Sequence, residues 1–463
     1  MSNNYKLFSF LIGFYCLLFF SFNVKSYLLM FLFAFSTFFF YLKYSLTKSV
    51  FLMFITSLPF ENNLREWMFT VTQPLYTGIT TSGYFYFFGI NLKLIFGTFL
   101  LLLFLSKKNR LKQSFKDDWP LIIFFIVACL NTFYFFSIIT VTGLIRLWLS
   151  ILFYFSAKIF FKSRPNLFPI TISAIFIFST IIGLNQLIRQ KPLGKFIELT
   201  PSFSQEEGYS TTDGLAQYRV SGFISHPVYF GSFMSIMLPI FITYALSINL
   251  PFLLPISLVG IVVMLGTHSR SVWFTITLSI YLLYPYLKQK YHAFLSKNQS
   301  KLLISIFILL STIIVISRLQ SITKIFSENG NASIRLELIW QSLVMISQHP
   351  FGVGLNQFTI NLIDQPLPKN LDGFIVPVHN TFLLITTELG IIAGSLFIFF
   401  VIKSIFFRKI HPTSKLLTYG AIIGATTFLV SGQFHPLFNL DPTFDLFLLT
   451  LGYINSQCQS SKI

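Results

Sequence analysis

Charge is the scarcest property of this sequence. Only 10% of its 463 residues are Asp, Glu, Lys or Arg, where soluble domains carry roughly 25%. Water must solvate the outside of a soluble protein, and so few ionised side chains cannot cover one of this size. A soluble enzyme is therefore excluded. A hydrophobic share of 54%, with 60 phenylalanines, equally excludes a disordered chain, which is poor in apolar and aromatic residues. Cysteine is nearly absent. The three present, Cys16, Cys129 and Cys458, have no motif spacing, which excludes a disulfide scaffold and a zinc module. No internal repeat with a period of about 20 to 50 residues is visible.

Long apolar runs are what the sequence has instead. A helix crosses a bilayer with about 20 mostly apolar residues, in a range near 17 to 25. Candidate runs fall near 7–24, 27–42, 49–60, 87–105, 119–136, 143–161, 167–188, 227–247, 252–265, 271–284, 302–317, 379–402, 417–432 and 440–455. The short ones admit half-spans, so about 12 to 14 transmembrane helices are expected. Inside lipid, backbone polar groups must be satisfied within the segment, which makes helices of such runs. The expected fold is all-α: a single polytopic integral membrane domain over residues 1–463. The first run lacks a small-residue cleavage site and is followed at once by a second, so no cleavable signal peptide is expected.

The basic residues orient the chain. With a cytoplasmic N-terminus, the inside loops hold Lys6, Lys43, Lys48, the cluster KKNRLKQSFK at 107–116, Lys158, Lys162, Arg164, Lys288, Lys290, Lys297, Lys301, Lys403, Arg408, Lys409, Lys415 and Lys462, with only Asp117 and Asp118 as acids. Cytoplasmic loops are the ones enriched in Lys and Arg, so both termini are expected on that side. The net charge of +18 then reports membrane topology, and nucleic acid is not an expected partner. Three longer polar stretches, about 61–86, 189–226 and 318–378, fall outside, and long ordered loops tend to carry function. Within the last, Ile334, Leu338, Ile339, Leu343 and Ile346 recur at helical spacing between Gly330-Asn331 and the turn from Pro350 to Gly354. This predicts an amphipathic helix lying on the membrane surface.

Four motifs converge on the outer face. YRVSGFISHPVYFG places Arg219 and His226 where a loop runs into a span, and GTHSRSVWF places His268 and Arg270 at the tip of a tight hairpin. IRLELIWQSLVMISQHPFGVGLNQF carries Arg335 near the start of the amphipathic helix, and VHNTFLLITTELGIIAG puts His379 and Asn380 at the mouth of a span. Ionisable groups at membrane depth are costly and are functional candidates by default. The planar fork of Arg binds phosphate oxygens in bidentate fashion, and His titrates near neutrality and suits proton abstraction. Together they fit displacement at a carbon bearing a diphosphate leaving group, with the arginines stabilising the charge that develops there. No DxD pair or His-x-x-x-His spacing stands in an outer loop, so neither a metal nor another cofactor is expected.

The ordered set SRSVW, R…W…HPFGVGLNQF and HN…ELG…G resembles the O-antigen ligase and polymerase superfamily of bacterial membrane glycosyltransferases, over roughly 215–400. The resemblance implies a metal-independent, inverting transfer on the outer face of the inner membrane, with undecaprenyl-diphosphate-linked glycan as donor. The acceptor would be another lipid-linked repeat unit in a polymerase, slightly favoured here, or lipid A–core in a ligase. By motif, His379 matches the histidine that activates the acceptor hydroxyl, and Arg270 and Arg335 match arginines associated with the donor diphosphate. Arg219 matches another family arginine, in a block that departs from the commonest form by having Val228 where Asn is frequent.

Other readings of the same residues remain open. His379-Asn380 fits a helix cap, Arg270 a hairpin brace paired with Glu388 or a backbone carbonyl, and Arg335 a snorkelling lipid contact. His226 and His268 fit structural roles or the orienting of a neighbour, and His349 fits a geometric role in its turn. Glu388 is a supporting candidate, but nine residues after His379 it falls on the opposite face of a straight helix. Lys93 and Arg146 lie within spans and would line a lipid path or snorkel. Two other classes also stand: a flippase for lipid-linked oligosaccharide, which should show polar broken helices at the midplane, and a non-catalytic member of a polysaccharide assembly complex.

Overall fold

The computed structural model describes residues 46–56, 117–193, 209–248, 253–291, 331–363, 376–407, 415–438 and 442–458, apart from 213, 214 and 225, with isolated positions besides. The expected spans near 27–42, 87–105 and 302–317, most of the one at 7–24, and Lys93 lie outside them.

Among the described residues, the regular structure is helical except for one short hairpin. In chain order the helices are α1 (Leu46–Thr56), α2 (Trp119–Tyr134), α3 (Ile138–Phe160) and α4 (Leu167–Arg189). The antiparallel strands β1 (Tyr209–Thr212) and β2 (Leu215–Tyr218) follow. Then come α5 (Pro227–Ser247), α6 (Leu254–Leu265), α7 (Arg270–Tyr291), α8 (Asn331–Gln348) and α9 (Phe358–Ile363). The chain continues through α10 (Thr381–Leu389), α11 (Ile391–Phe406), α12 (Lys415–Ser431) and α13 (Thr443–Ser456). Helices α3, α4 and α5 are long and apolar enough to cross a membrane, and α2, α6, α11 and α12 are shorter apolar helices. The chain is an all-α polytopic membrane protein, as expected.

Local chemistry sets the helix starts. Helix α3 opens on a capping box in which the Thr140 amide donates to Ser137 Oγ at 3.2 Å and the Ser137 amide donates to Thr140 Oγ1 at 3.1 Å, which satisfies two amides that a helix start leaves free. Pro227 stands in the first turn of α5, where its fixed φ suits the helix and its missing N–H costs nothing. Packing then depends on small residues and stacked rings. A Cβ on Gly424 of α12 would strike the Ile236 carbonyl oxygen of α5, so glycine there lets the two backbones meet. Helix α13 lies along α3, with Asn455 Nδ2 donating to Tyr154 Oη at 2.7 Å. Phe168 stacks on Tyr453 with ring centroids 4.1 Å apart. Asp445, buried in α13, accepts a hydrogen bond from Ser150 of α3.

One expected span is broken. The run at 379–402 divides at Gly390, whose φ of 90° is open to glycine and strained for other residues. The cause is a second chain segment wedged into the gap. The amides of Val353 and Gly354 donate to the carbonyls of Thr387 and Glu388, each at 3.0 Å, and the Ile391 amide donates to the Pro350 carbonyl at 3.0 Å. Asn131 Nδ2 of α2 bridges the Phe351 and Glu388 carbonyls at 3.2 Å each. The last carbonyls of α10 thus find partners outside their own helix. Apolar character runs on through the gap, which is why a hydropathy reading joins the two pieces.

The amphipathic helix is present as α8. Leu338 and Met345 are buried, and Ser342 Oγ meets Thr387 Oγ1 of α10 at 2.5 Å. Leu343, expected on the apolar face, is exposed. With Leu336 and Trp340 it forms an exposed apolar stripe at helical spacing.

The two ends of the bundle differ in polar chemistry. Where α2 begins and α3 ends, Lys158 Nζ lies 2.5 Å from Asp118 Oδ2 and 3.6 Å from Asp117 Oδ2, with Asp118 fully buried. Lys403 Nζ of α11 donates to the Asp117 carbonyl at 2.9 Å. A buried pair loses about 3–5 kcal/mol when one partner is removed, because the other is left charged and desolvated. Lys158→Met should therefore lower thermal stability in detergent by that amount, and Lys158→Met with Asp118→Leu should recover most of it; equal melting temperatures for wild type and the single variant would contradict the pairing. Gly390→Ala places a Cβ 2.6 Å from the Phe351 carbonyl carbon at positive φ. A loss of about 1–3 kcal/mol is expected in the same assay.

Candidate functional site

At the opposite end of the bundle the starts of α5, α7 and α10 meet the loop between α12 and α13. Each sequence-predicted residue arrives on a separately fixed segment. The chain running into α5 is held by Gln186 of α4, whose Nε2 donates to the Gly222 carbonyl at 2.9 Å and whose Oε1 accepts from the Gly222 amide at 2.9 Å. Two residues clamp this segment to the α6–α7 turn: the Val220 amide donates to the Gly266 carbonyl at 3.0 Å, and Arg219 Nε donates to the Thr267 carbonyl at 3.0 Å. His226 caps α5, its Nδ1 accepting from the Val228 amide at 3.2 Å. That bond leaves the proton of the neutral ring on Nε2.

The α6–α7 turn carries Arg270, exposed, between Ser269 and Ser271, both buried. The two hydroxyls lie 3.0 Å apart. His268, in the same turn, is half-buried with a left-handed φ of 51°. Arg335 projects from the first turns of α8 and is half-buried. Asn380 caps α10, its Oδ1 accepting from the Phe382 and Leu383 amides at 3.0 Å each. The cap role considered for the His379-Asn380 pair therefore belongs to Asn380, and His379 is left to face the site.

A second buried histidine, His435, stands at the centre of this group. Its Nε2 meets Ser271 Oγ at 2.7 Å, and its ring centroid lies 6.5 Å from that of His379. It lies outside the four motifs, and its partner Ser271 is 164 residues away in sequence. His435 stands in the loop after α12, in a His-Pro dipeptide that also occurs at 226, 349 and 411.

These groups also act on one another electrostatically. Burial, then the neighbouring Arg270 guanidinium, lowers the pKa of Arg335. Burial and then Arg335 hold His379 down at about 4, with the Pro377 backbone pulling the other way. Burial, Arg219 and His379 hold His226 at about 3. His435 is pushed well below the usual range by burial first, then by Arg335, His379, His226 and Arg219. Neutral imidazoles facing guanidinium groups where water is scarce can bind an anion and accept a proton beside it. Among the described residues, no group of three His, Cys, Asp or Glu side chains is placed to hold a metal ion.

Other candidates fall elsewhere. Glu388 is buried at the helix break, where its Oε1 faces the Phe358 amide at 3.5 Å, so it braces the turn after α8. His349 is exposed and accepts through its carbonyl from the Gly352 amide at 2.8 Å, which is a geometric role. Arg146 is half-buried in α3.

Residues 255–398 match the family model described as O-Antigen ligase. The matched segment holds Arg270, Arg335 and His379, and leaves out Arg219, His226 and His435. A search of the curated proteins finds no match.

The low histidine pKa values have a consequence for stability. The unfolded chain takes up protons near pH 6.5 that the folded site refuses until about pH 4 for His379 and about 3 for His226. Stability should therefore fall as the pH drops through that window. Thermal unfolding of the purified chain at pH 7.5, 6 and 5 should show a steadily falling midpoint, and a level midpoint would contradict burial of neutral rings.

Proposed function

With residues 255–398 of the O-antigen ligase type, we propose that the chain is a membrane glycosyltransferase that moves a glycan from a polyprenyl-diphosphate donor, undecaprenyl diphosphate being the carrier, to a sugar hydroxyl. The observation that carries this reading is the presence of Arg219, Arg270, Arg335 and His379 at one end of an apolar bundle, with Arg335 acting on His379, Arg270 on Arg335 and Arg219 on His226 and His435. The arginines grip the diphosphate, and the prenyl tail lies among the apolar helices. The exposed stripe of Leu336, Trp340 and Leu343 seats α8 in the interface of the membrane, where amphipathic helices settle. The positive-inside charge pattern puts both termini in the cytoplasm and this site on the outer face of the inner membrane.

The chemistry is a single inverting displacement that needs no metal. His379 takes the proton of the acceptor hydroxyl as that oxygen attacks the anomeric carbon. The bond from that carbon to the diphosphate oxygen breaks, and its electron pair leaves with the diphosphate, where the guanidinium groups stabilise the growing charge. The donor also tunes the base. Arg335 disfavours the protonated His379 ring, and an anion bound between them offsets that repulsion and raises the basicity of His379 once the donor is in place.

Polymerisation of repeat units and ligation to lipid A–core share this displacement and differ in acceptor; polymerisation is the leading reading. In a strain lacking the gene, complementation with His379→Ala or Arg270→Ala should abolish mature glycan at normal protein level, a loss of at least 100-fold for a base that contributes 10²–10⁴. Short lipid-linked units accumulate if the chain polymerises, and long unattached lipid-linked polymer accumulates if it ligates. Unchanged glycan in both variants overturns the catalytic reading in favour of the flippase or assembly role.

A further inference from the structure

The loop between α12 and α13 lies outside the matched segment, yet it touches both halves of the site. On one side His435 Nε2 meets Ser271 Oγ at 2.7 Å, and Ser271 meets Ser269 at 3.0 Å, so the two residues flanking Arg270 are tied to this loop. On the other side the loop grips the residues that follow His379. The Thr381 amide donates to the Gly432 carbonyl at 2.6 Å. Thr381 Oγ1 donates to the His435 carbonyl at 2.8 Å and accepts from the Leu437 amide at 2.9 Å. Asn380 Nδ2 donates to Gln433 Oε1 at 3.0 Å. His435 and Thr381 are both buried, so these bonds form where water does not compete for them.

We propose that His435 is a positioning residue that fixes Arg270 relative to His379, by bonding Ser271 through its ring and Thr381 through its carbonyl. This rests on the reading of the site as one that binds a diphosphate. The geometric demand is real: the arginine must hold the leaving group while the histidine meets the acceptor on the other side of the reacting carbon, and misplacement by about 1 Å can cost 10²-fold. Arg270 opens α7 and His379 stands just before α10, far apart in sequence, and His435 supplies a rigid link from one to the other. Its part is played through Ser271 and Thr381, without contact with the reacting atoms.

The side-chain amide of Gln can occupy the place of the ring Nε2, so His435→Gln keeps the bond to Ser271, while His435→Ala removes it. Ser271→Ala removes the same bond from the far side with a smaller change in volume. The purified full-length chain in detergent is titrated with undecaprenyl diphosphate, with the thermal midpoint as readout. Wild type should show a saturable upward shift that Arg270→Ala loses. His435→Ala and Ser271→Ala should need at least tenfold more probe for half the shift, and His435→Gln should stay within about threefold of wild type. A wild-type chain that gives no shift overturns the diphosphate reading and this inference with it. A normal titration in both alanine variants, with Arg270→Ala defective, overturns the positioning role alone. In the complementation assay His435→Gln should restore mature glycan; a Gln variant that titrates normally and makes none would make His435 a proton carrier and overturn the assignment as well.

Discussion

Like charges brought together where water is scarce are the constraint on which this molecule depends. Arg270 adds to the burial that lowers the tolerance of Arg335 for charge, and Arg335 and Arg219 press on three buried or half-buried histidines. Left to themselves, such groups would spread apart or turn to solvent. They are held because each rides on a segment fixed by other bonds: Gln186 under the chain running into α5, the serine pair on His435, the Asn380 cap and the Thr381 grip. The imidazoles adapt by staying neutral, which keeps the total charge tolerable and leaves them able to accept a proton. On the proposed reading, an anionic ligand of the right size would relieve the repulsion, so that binding and electrostatic relaxation would point the same way.

The scaffold separates its polar chemistry by position. At one end Lys158 is neutralised at once by Asp118, a closed pair with nothing left to offer a ligand. At the other end positive charge is concentrated around a space. Between them the helices are held by aromatic stacking, by buried hydroxyls bonded to their own backbone, and by glycine where α12 meets α5. The break at Gly390 belongs to the same logic. It lets the turn after α8 donate its amides to the last carbonyls of α10, which locks the helix bearing Arg335 against the helix that begins beside His379.

Sequence periodicity and composition made much of this legible. The apolar runs at 167–188 and 227–247 become α4 and α5 almost residue for residue, because hydrophobic length is a direct consequence of bilayer thickness. The amphipathic α8 was visible in its 3.6-residue spacing, although the face it buries is turned so that Leu343 is exposed. The break at Gly390 was not visible, because it is made by the amides of Val353 and Gly354 and the carbonyl of Pro350, which meet it only in three dimensions. Arg219, Arg270, Arg335 and His379 stood out as ionisable residues at the edges of apolar runs. His435 is one of four histidines followed by proline, so the dipeptide does not single it out, and its meaning depends on Ser271, which is 164 residues away.

A structure of the chain with undecaprenyl diphosphate bound in lipid tests the central claim most directly. The account predicts the two phosphates within hydrogen-bond reach of the Arg270 and Arg335 guanidinium groups, the His379 ring on the far side of the terminal phosphate, and the prenyl chain running down between apolar helices. Phosphates seated anywhere else, above all at the Lys158 end of the bundle, would contradict it.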